Sequence, residues 1–153
     1  MPVYDFLGGR VREKQAISIV VGQKPISECV AEVGQALKAG IRTIKVKVGA
    51  SDKHDIELIK QLREKYGYEY ILRVDADGAW GNVTEAVRVL RELYNYNIQY
   101  AEGCLNKSDA ESYRRIREMA GIPICMPVEF NGNTVSTTEA LTKVAEIVRI
   151  DRK

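Results

Sequence analysis

Apolar and polar positions follow two periods along this chain, and the change between the periods recurs at a nearly constant interval. Short apolar runs rich in β-branched residues predict strands at 16–21, 43–48, 70–75, 98–101, 123–126 and 147–150. Apolar positions at helical spacing predict helices at 27–38, 52–66, 84–94, 109–119 and 137–144. Strands that alternate with helices in this way are typical of an α/β fold with a parallel sheet and right-handed crossovers.

Charged residues mark the ends of the predicted strands. From the second strand to the sixth they are Lys47, Asp75, Glu102, Glu129 and Asp151. Glu129 is expected in a loop at 127–133, directly after the fifth strand. In a closed barrel the carboxyl ends of all strands face one mouth, so this placement predicts that the five side chains converge. The alternative at 75–77 is a simple Asx-type turn with solvated carboxylates.

The chemistry of these residues suggests a metal and a base. Asp75, Glu102 and Glu129 offer only oxygen ligands, which suit Mg²⁺ and disfavour zinc. Lys45 and Lys47 alternate with valines, so both ammonium groups are expected on one face of their strand. Crowding by a second lysine and a cation disfavours the charged form of a lysine and prepares it to act as a general base. Together the residues suggest proton abstraction next to a carboxylate.

Composition limits the setting of this chemistry. The chain has 153 residues, room for one domain, and a net charge of +2 with acidic and basic residues interleaved, which indicates neither a nucleic acid nor a membrane partner. Cys29, Cys104 and Cys125 have no CxxC spacing, which argues against a disulfide framework or a structural zinc. These features predict a soluble protein in a reducing, cytoplasmic setting.

Three motifs in order carry a resemblance to a known family: Thr-Ile-Lys-Val-Lys-Val-Gly at 43–49, Leu-Arg-Val-Asp-Ala-Asp-Gly-Ala-Trp at 72–80, and Ala-Glu at 101–102. The chain resembles the barrel domain of the enolase superfamily, in its mandelate racemase and muconate lactonizing enzyme branch. The handedness and period of the predicted elements agree with that fold, a TIM-type (β/α) barrel. The resemblance implies a Mg²⁺-dependent lyase or isomerase.

Carried over residue by residue, the resemblance implies roles for six side chains. Asp75, Glu102 and Glu129 become the metal ligands. Lys47 becomes the base, and Lys45 supports it and contacts the substrate carboxylate. Asp151 matches a sixth-strand aspartate that orients a histidine in the racemase and dehydratase members, which favours a sugar-acid dehydratase or racemase. Muconate cycloisomerisation and dipeptide epimerisation are the alternatives.

The resemblance also implies what this chain lacks. Residues 1–15 correspond to the segment that leads from an N-terminal capping domain into the barrel, and 16–153 to an incomplete barrel without its last strands. We therefore expect a fragment of a larger enzyme or one half of a split enzyme, inactive alone, which forms a homo-oligomer or pairs with a complementing chain. A non-catalytic barrel piece that associates through its open sheet edges is the remaining alternative.

Overall fold

The computed structural model describes residues 2–106, 110–130 and 147–152. Within them the strands are β1 (Ile19–Val21), β2 (Thr43–Lys47), β3 (Ile71–Asp75), β4 (Ile98–Glu102), β5 (Ile124–Phe130) and β6 (Ile147–Arg152). The helices are α1 (Val3–Phe6), α2 (Ile26–Lys38), α3 (Asp52–Tyr66), α4 (Val83–Leu93) and α5 (Ala110–Ala120). The α/β prediction is confirmed.

All neighbouring strands are parallel, and their order in the sheet is their order in the chain. This arrangement is that of a (β/α) barrel in which β1 and β6 form open edges of the described sheet. One face of β2 is apolar and packs into the core with helix residues: Ile44, Val46 and the following Val48 are fully buried there. The core therefore lies between the sheet and the helical layer, and the other face of the sheet is left for polar side chains.

Local sequence explains where the helices begin. The side chain of Ser51 accepts a hydrogen bond from the His54 N–H at the start of α3, and that of Asn82 accepts one from the Glu85 N–H at the start of α4. Glu85 in turn accepts a hydrogen bond from the Gly81 N–H, which completes a cap of reciprocal bonds. Asn82 is thus the N-cap of α4.

The structure corrects some of the predicted bounds. β1 begins at Ile19 rather than at residue 16, and the predicted loop at 127–133 begins as a strand, because β5 pairs with β6 up to Phe130. The predicted linker contains the short helix α1, whose apolar side chains are exposed. The predicted helix at 137–144 lies outside the described residues. No helix in the described part of the chain is long and apolar enough to cross a membrane.

Candidate active site

Two lysines of β2 face the inner side of the sheet, as the alternation with valine predicted. Lys45 pairs in register with Arg73, and Lys47 pairs with Asp75 on β3. In the same row Asp75 pairs with Glu102 on β4. Three neighbouring strand ends thus bring Lys47, Asp75 and Glu102 to one level, because parallel strands in register carry equivalent positions side by side.

The two carboxylates are buried and are linked by one ammonium group. Asp75 and Glu102 are each 2% exposed. Lys45 Nζ lies 3.1 Å from Asp75 Oδ2 and 3.0 Å from Glu102 Oε2. Lys47 Nζ lies 3.0 Å from the same Asp75 oxygen. The charges alternate along this chain of contacts, so each buried carboxylate has a cation next to it.

The 75–77 segment combines the Asx-type turn with a buried Asp75 that faces the lysines. Asp75 Oδ1 accepts a hydrogen bond of 3.1 Å from the Asp77 N–H, which forms the Asx-type turn. Asp75 Oδ2, by contrast, is directed at the two lysines. The turn reverses the chain through Asp77, which has a left-handed φ of 50°. It leaves Asp75 buried rather than solvated, whereas the Asp77 side chain is 78% exposed and contacts Lys47 at 3.3 Å.

Burial and pairing act in opposite directions on the ionisation of this cluster. Burial by itself raises the pKa of Asp75, but hydrogen bonds and charge from Lys47 and Lys45 outweigh burial and leave that pKa below its ordinary value. Burial lowers the pKa of Lys45, and the contacts with Glu102 and Asp75 outweigh this and raise the pKa. The prediction that a neighbouring lysine disfavours the charged form does not hold for Lys45, because carboxylates dominate the surroundings of its ammonium group.

The carboxylate pair fits the first part of a magnesium site. Asp75 Oδ2 is a buried oxygen that faces the ammonium groups of Lys45 and Lys47, so it already lies where cations neutralise it and could face a metal ion in their place. Mg²⁺ is commonly held by one or two carboxylates together with water and substrate oxygens. Among the described side chains no set of three potential ligands converges, so these residues alone provide two ligands of the predicted three.

An open cavity of about 370 Å³ adjoins the cluster at the same end of the sheet. Lys47 and Asp77 supply its charged lining, and the rest is small or neutral: Gln23, Gly49, Ala76 and Ala79. Trp80, which follows these residues, is 2% exposed and belongs to the core. The volume suits a small substrate placed against Lys47.

The remaining two predicted site residues lie on β5 and β6. Their backbones pair directly, Glu129 with Asp151. The β5 residue that pairs with Glu102 is Cys125, four positions before Glu129. The structure thus brings Lys45, Lys47, Asp75 and Glu102 together, whereas the side chains of Glu129 and Asp151 lie outside the described part. Their assignment stays a prediction.

Sequence reasoning missed two residues next to the cluster. Asp77 was predicted only as part of an Asx-type turn, and its contact with Lys47 at 3.3 Å was not predicted. Asp55 was overlooked because a carboxylate in the first turn of a charged helix gives no sign of burial, and it is fully buried in the structure.

Comparison with known proteins now identifies the family. A sequence model described as enolase C-terminal domain-like matches residues 28–151. The chain belongs to this family. A related D-Ala-D/L-Ala epimerase of Cytophaga hutchinsonii is 35% identical over 124 residues, which are 81% of this chain and 33% of that protein. The chain spans about a third of the length of the curated relatives that it matches.

Solved structures of the family share the fold. The N-succinyl Arg/Lys racemase of Bacillus cereus superposes with a TM-score of 0.86 at 25% identity, over 97% of this chain and 40% of that chain. A dipeptide epimerase of Cytophaga hutchinsonii, complexed with Mg and the dipeptide D-Ala-L-Val, superposes with a TM-score of 0.76 at 34% identity, over 82% and 34%. Muconate lactonizing enzyme has the same fold at 23% identity, with a TM-score of 0.74 over 82% and 35%. The resemblance to this branch of the enolase superfamily is confirmed.

Proposed function

We propose that this chain supplies the metal-binding and basic side chains of an enzyme that removes the proton α to a carboxylate of a small substrate. One observation carries the proposal: Lys45 Nζ contacts two buried carboxylates, Asp75 and Glu102, while Lys47 Nζ contacts Asp75 at the edge of the cavity. Buried charges of both signs at strand ends are costly for stability, and a reaction that needs them is the simplest reason for their presence.

Each side chain has a role in this proposal. Asp75 and Glu102 hold Mg²⁺, with Glu129 as the predicted third ligand. The bound ion supplies positive charge that stabilises the negative charge developing on the substrate carboxylate. Lys45, the deeper lysine, orients that carboxylate. Lys47 takes the α proton, because it is the lysine of the pair that lines the cavity.

The named relatives indicate which reaction of this type to expect. They are named as dipeptide epimerases and as an N-succinyl-L-Arg/Lys racemase. Inversion at an α carbon is the outcome expected when its proton is removed and a proton is returned from the opposite face. This supports the dipeptide epimerase alternative better than the sugar-acid dehydratase that Asp151 had favoured. We therefore propose a dipeptide or an N-acylated amino acid as the substrate class. Inversion needs a proton donor on the opposite face, and Asp151 on β6 is the candidate to position it.

Magnesium binding tests the first half of the proposal. We expect calorimetric titration of Mg²⁺ into the purified protein to show binding that Asp75→Asn and Glu102→Gln abolish. Asp77→Asn is the matched control, because it removes an exposed carboxylate two positions away that is not a predicted ligand. Glu129→Gln tests the third ligand in the same experiment. A folded protein that binds no Mg²⁺ would favour the non-catalytic barrel piece.

Isotope exchange tests the second half. The chain alone is not expected to complete turnover, but incubation with Mg²⁺ and an alanyl dipeptide in D₂O should still exchange the substrate α proton for deuterium, which proton NMR detects as a lost signal. Lys47→Arg should abolish exchange while it leaves Mg²⁺ binding intact, since the charge is kept and the base is lost. Exchange that persists in this variant would remove Lys47 from the role of base.

A further inference from the structure

We propose that Asp55 is a positioning residue for Lys47. Asp55 lies in the first turn of α3, outside the carboxylate cluster, and it is 0% exposed. Carboxylates are rarely buried to this extent unless a specific partner requires them. Its partners lead to the segment that follows Lys47.

The carboxylate of Asp55 holds the backbone just after β2. Asp55 Oδ2 accepts a hydrogen bond of 2.6 Å from the Gly49 N–H, a short distance typical of a bond to a charged acceptor. Asp55 Oδ1 lies 3.3 Å from His54 Nδ1. The amide of Asp55 donates to the Ser51 carbonyl, so the side chain projects from a regular, capped helix start. That start also favours a carboxylate electrostatically, because the helix dipole is positive there.

Gly49 needs this support because of its conformation. Its φ of 101° lies in the left-handed region that favours glycine, and a side chain at this position would collide with Ala79. The residue before it is held as well: Val48 donates its N–H to the Asp75 carbonyl at 2.9 Å, and its carbonyl accepts a bond from Gln23 at 3.0 Å. Asp55 therefore completes the fixation of the two residues that leave the strand.

Lys47 depends on this fixation more than Lys45 does. Lys45 lies in mid-strand, with β1 and β3 paired on either side of it, whereas Lys47 is the last residue of β2. The side chain of Lys47 is also more exposed, 27% against 15%. Its ammonium position against Asp75 thus follows from the path of the chain through Val48 and Gly49. That this position serves proton abstraction rests on the proposed function.

The experiment compares two variants of Asp55 with a matched control on the same helix. Asp55→Leu removes the acceptor, and Asp55→Asn keeps an acceptor oxygen without the charge. Glu64→Gln removes an exposed carboxylate of α3 far from the loop. Two readouts are used on the purified protein: hydrogen exchange of the Gly49 amide by NMR, and acetylation of Lys47 relative to Lys45 by mass spectrometry.

In Asp55→Leu we expect the Gly49 amide to exchange about tenfold faster or more, because its charged acceptor is lost. The ratio of Lys47 to Lys45 acetylation should change severalfold in the same variant, with partial return in Asp55→Asn. Glu64→Gln should match the parent in both readouts. Neither readout requires turnover or bound metal, so absent Mg²⁺ binding would count against the proposed function and leave this test standing.

A control for simple loss of stability is Arg63→Met, which removes a buried cation at the opposite end of the sheet. Its acetylation ratio should equal that of the parent. An unchanged ratio in Asp55→Leu, or an equal change in Arg63→Met, would overturn the role of Asp55 in positioning Lys47.

Discussion

The two ends of the sheet bury charge in different ways. At the amino end of β3 and β4, Arg63 is 4% exposed and donates to four backbone carbonyls, at 2.8 Å to Tyr96 and Asn97 and at longer distance to Gly67 and Tyr70. Its guanidinium also lies over the rings of Tyr68 and Tyr70, 4.8 and 4.7 Å from their centroids. At the carboxyl end, Lys45 and Lys47 are satisfied by carboxylate side chains.

The two kinds of partner suit different roles: backbone carbonyls suit a structural contact, and side-chain carboxylates suit a site that binds ligands. Carbonyls of the main chain are fixed by the fold and do not change their charge. The hydrogen bonds of Arg63 therefore form a fixed link, here called the clamp, between α3 and the turns before β3 and β4. Side-chain carboxylates can exchange one cation for another, so the ammonium groups of the mouth can give way to a metal or a substrate. Three predictions test whether this division holds.

The largest effect is expected from the clamp. Arg63→Met keeps much of the side-chain volume but leaves several carbonyls without their donor, so we expect it to lower the free energy of unfolding by about 4 kcal/mol. Urea denaturation measures this loss. Arg91→Met is the matched control, since Arg91 is exposed and donates to one carbonyl, and it should denature like the parent. Equal midpoints for the two variants would show that Arg63 is no clamp.

A smaller effect, and one that a ligand can reverse, is expected at the mouth. Lys45→Met removes the ammonium shared by Asp75 and Glu102 and should cost about 2 kcal/mol, because the carboxylates can still take up water or a proton. Added Mg²⁺ should restore part of this loss by binding between them, and it should restore nothing in Arg63→Met. Thermal denaturation with and without Mg²⁺ measures both. Rescue of both variants would contradict the division.

The smallest effect concerns pH. The pKa of Asp75 is lowered from its ordinary 3.8 by Lys47 and Lys45, against the effect of burial. A lowered pKa in the folded state means that Asp75 contributes stability above pH 4, and that this contribution is lost as the pH falls through the folded-state value. Urea midpoints between pH 6 and pH 3 should therefore fall more steeply in the parent than in Asp75→Asn. Parallel curves would mean that the pairing adds no net stability.

The local pattern of the chain was enough to predict most of its elements and to mark its candidate site residues. The bounds of α3 agree with the predicted 52–66, and alternation of lysine with valine placed Lys45 and Lys47 on one face, because side-chain direction in a strand depends only on neighbouring residues. The charged residues at the strand ends likewise indicated which end of the sheet carries the candidate site, because each lies directly after a local apolar run. Ordered motifs were sufficient for the family, since each is a short local run at the end of a strand.

Only the tertiary structure decided which atoms meet. Lys45, rather than Lys47, is the lysine that contacts both Asp75 and Glu102, and this depends on register between strands far apart in sequence. The pairing of β5 with β6 begins at Cys125, which also pairs with Glu102 on β4. This register sets the level of Glu129 in the sheet, and the sequence did not show it. Burial of Asp55 and Arg63 was likewise invisible locally, because exposure is fixed by what packs over a residue and not by its neighbours in the chain.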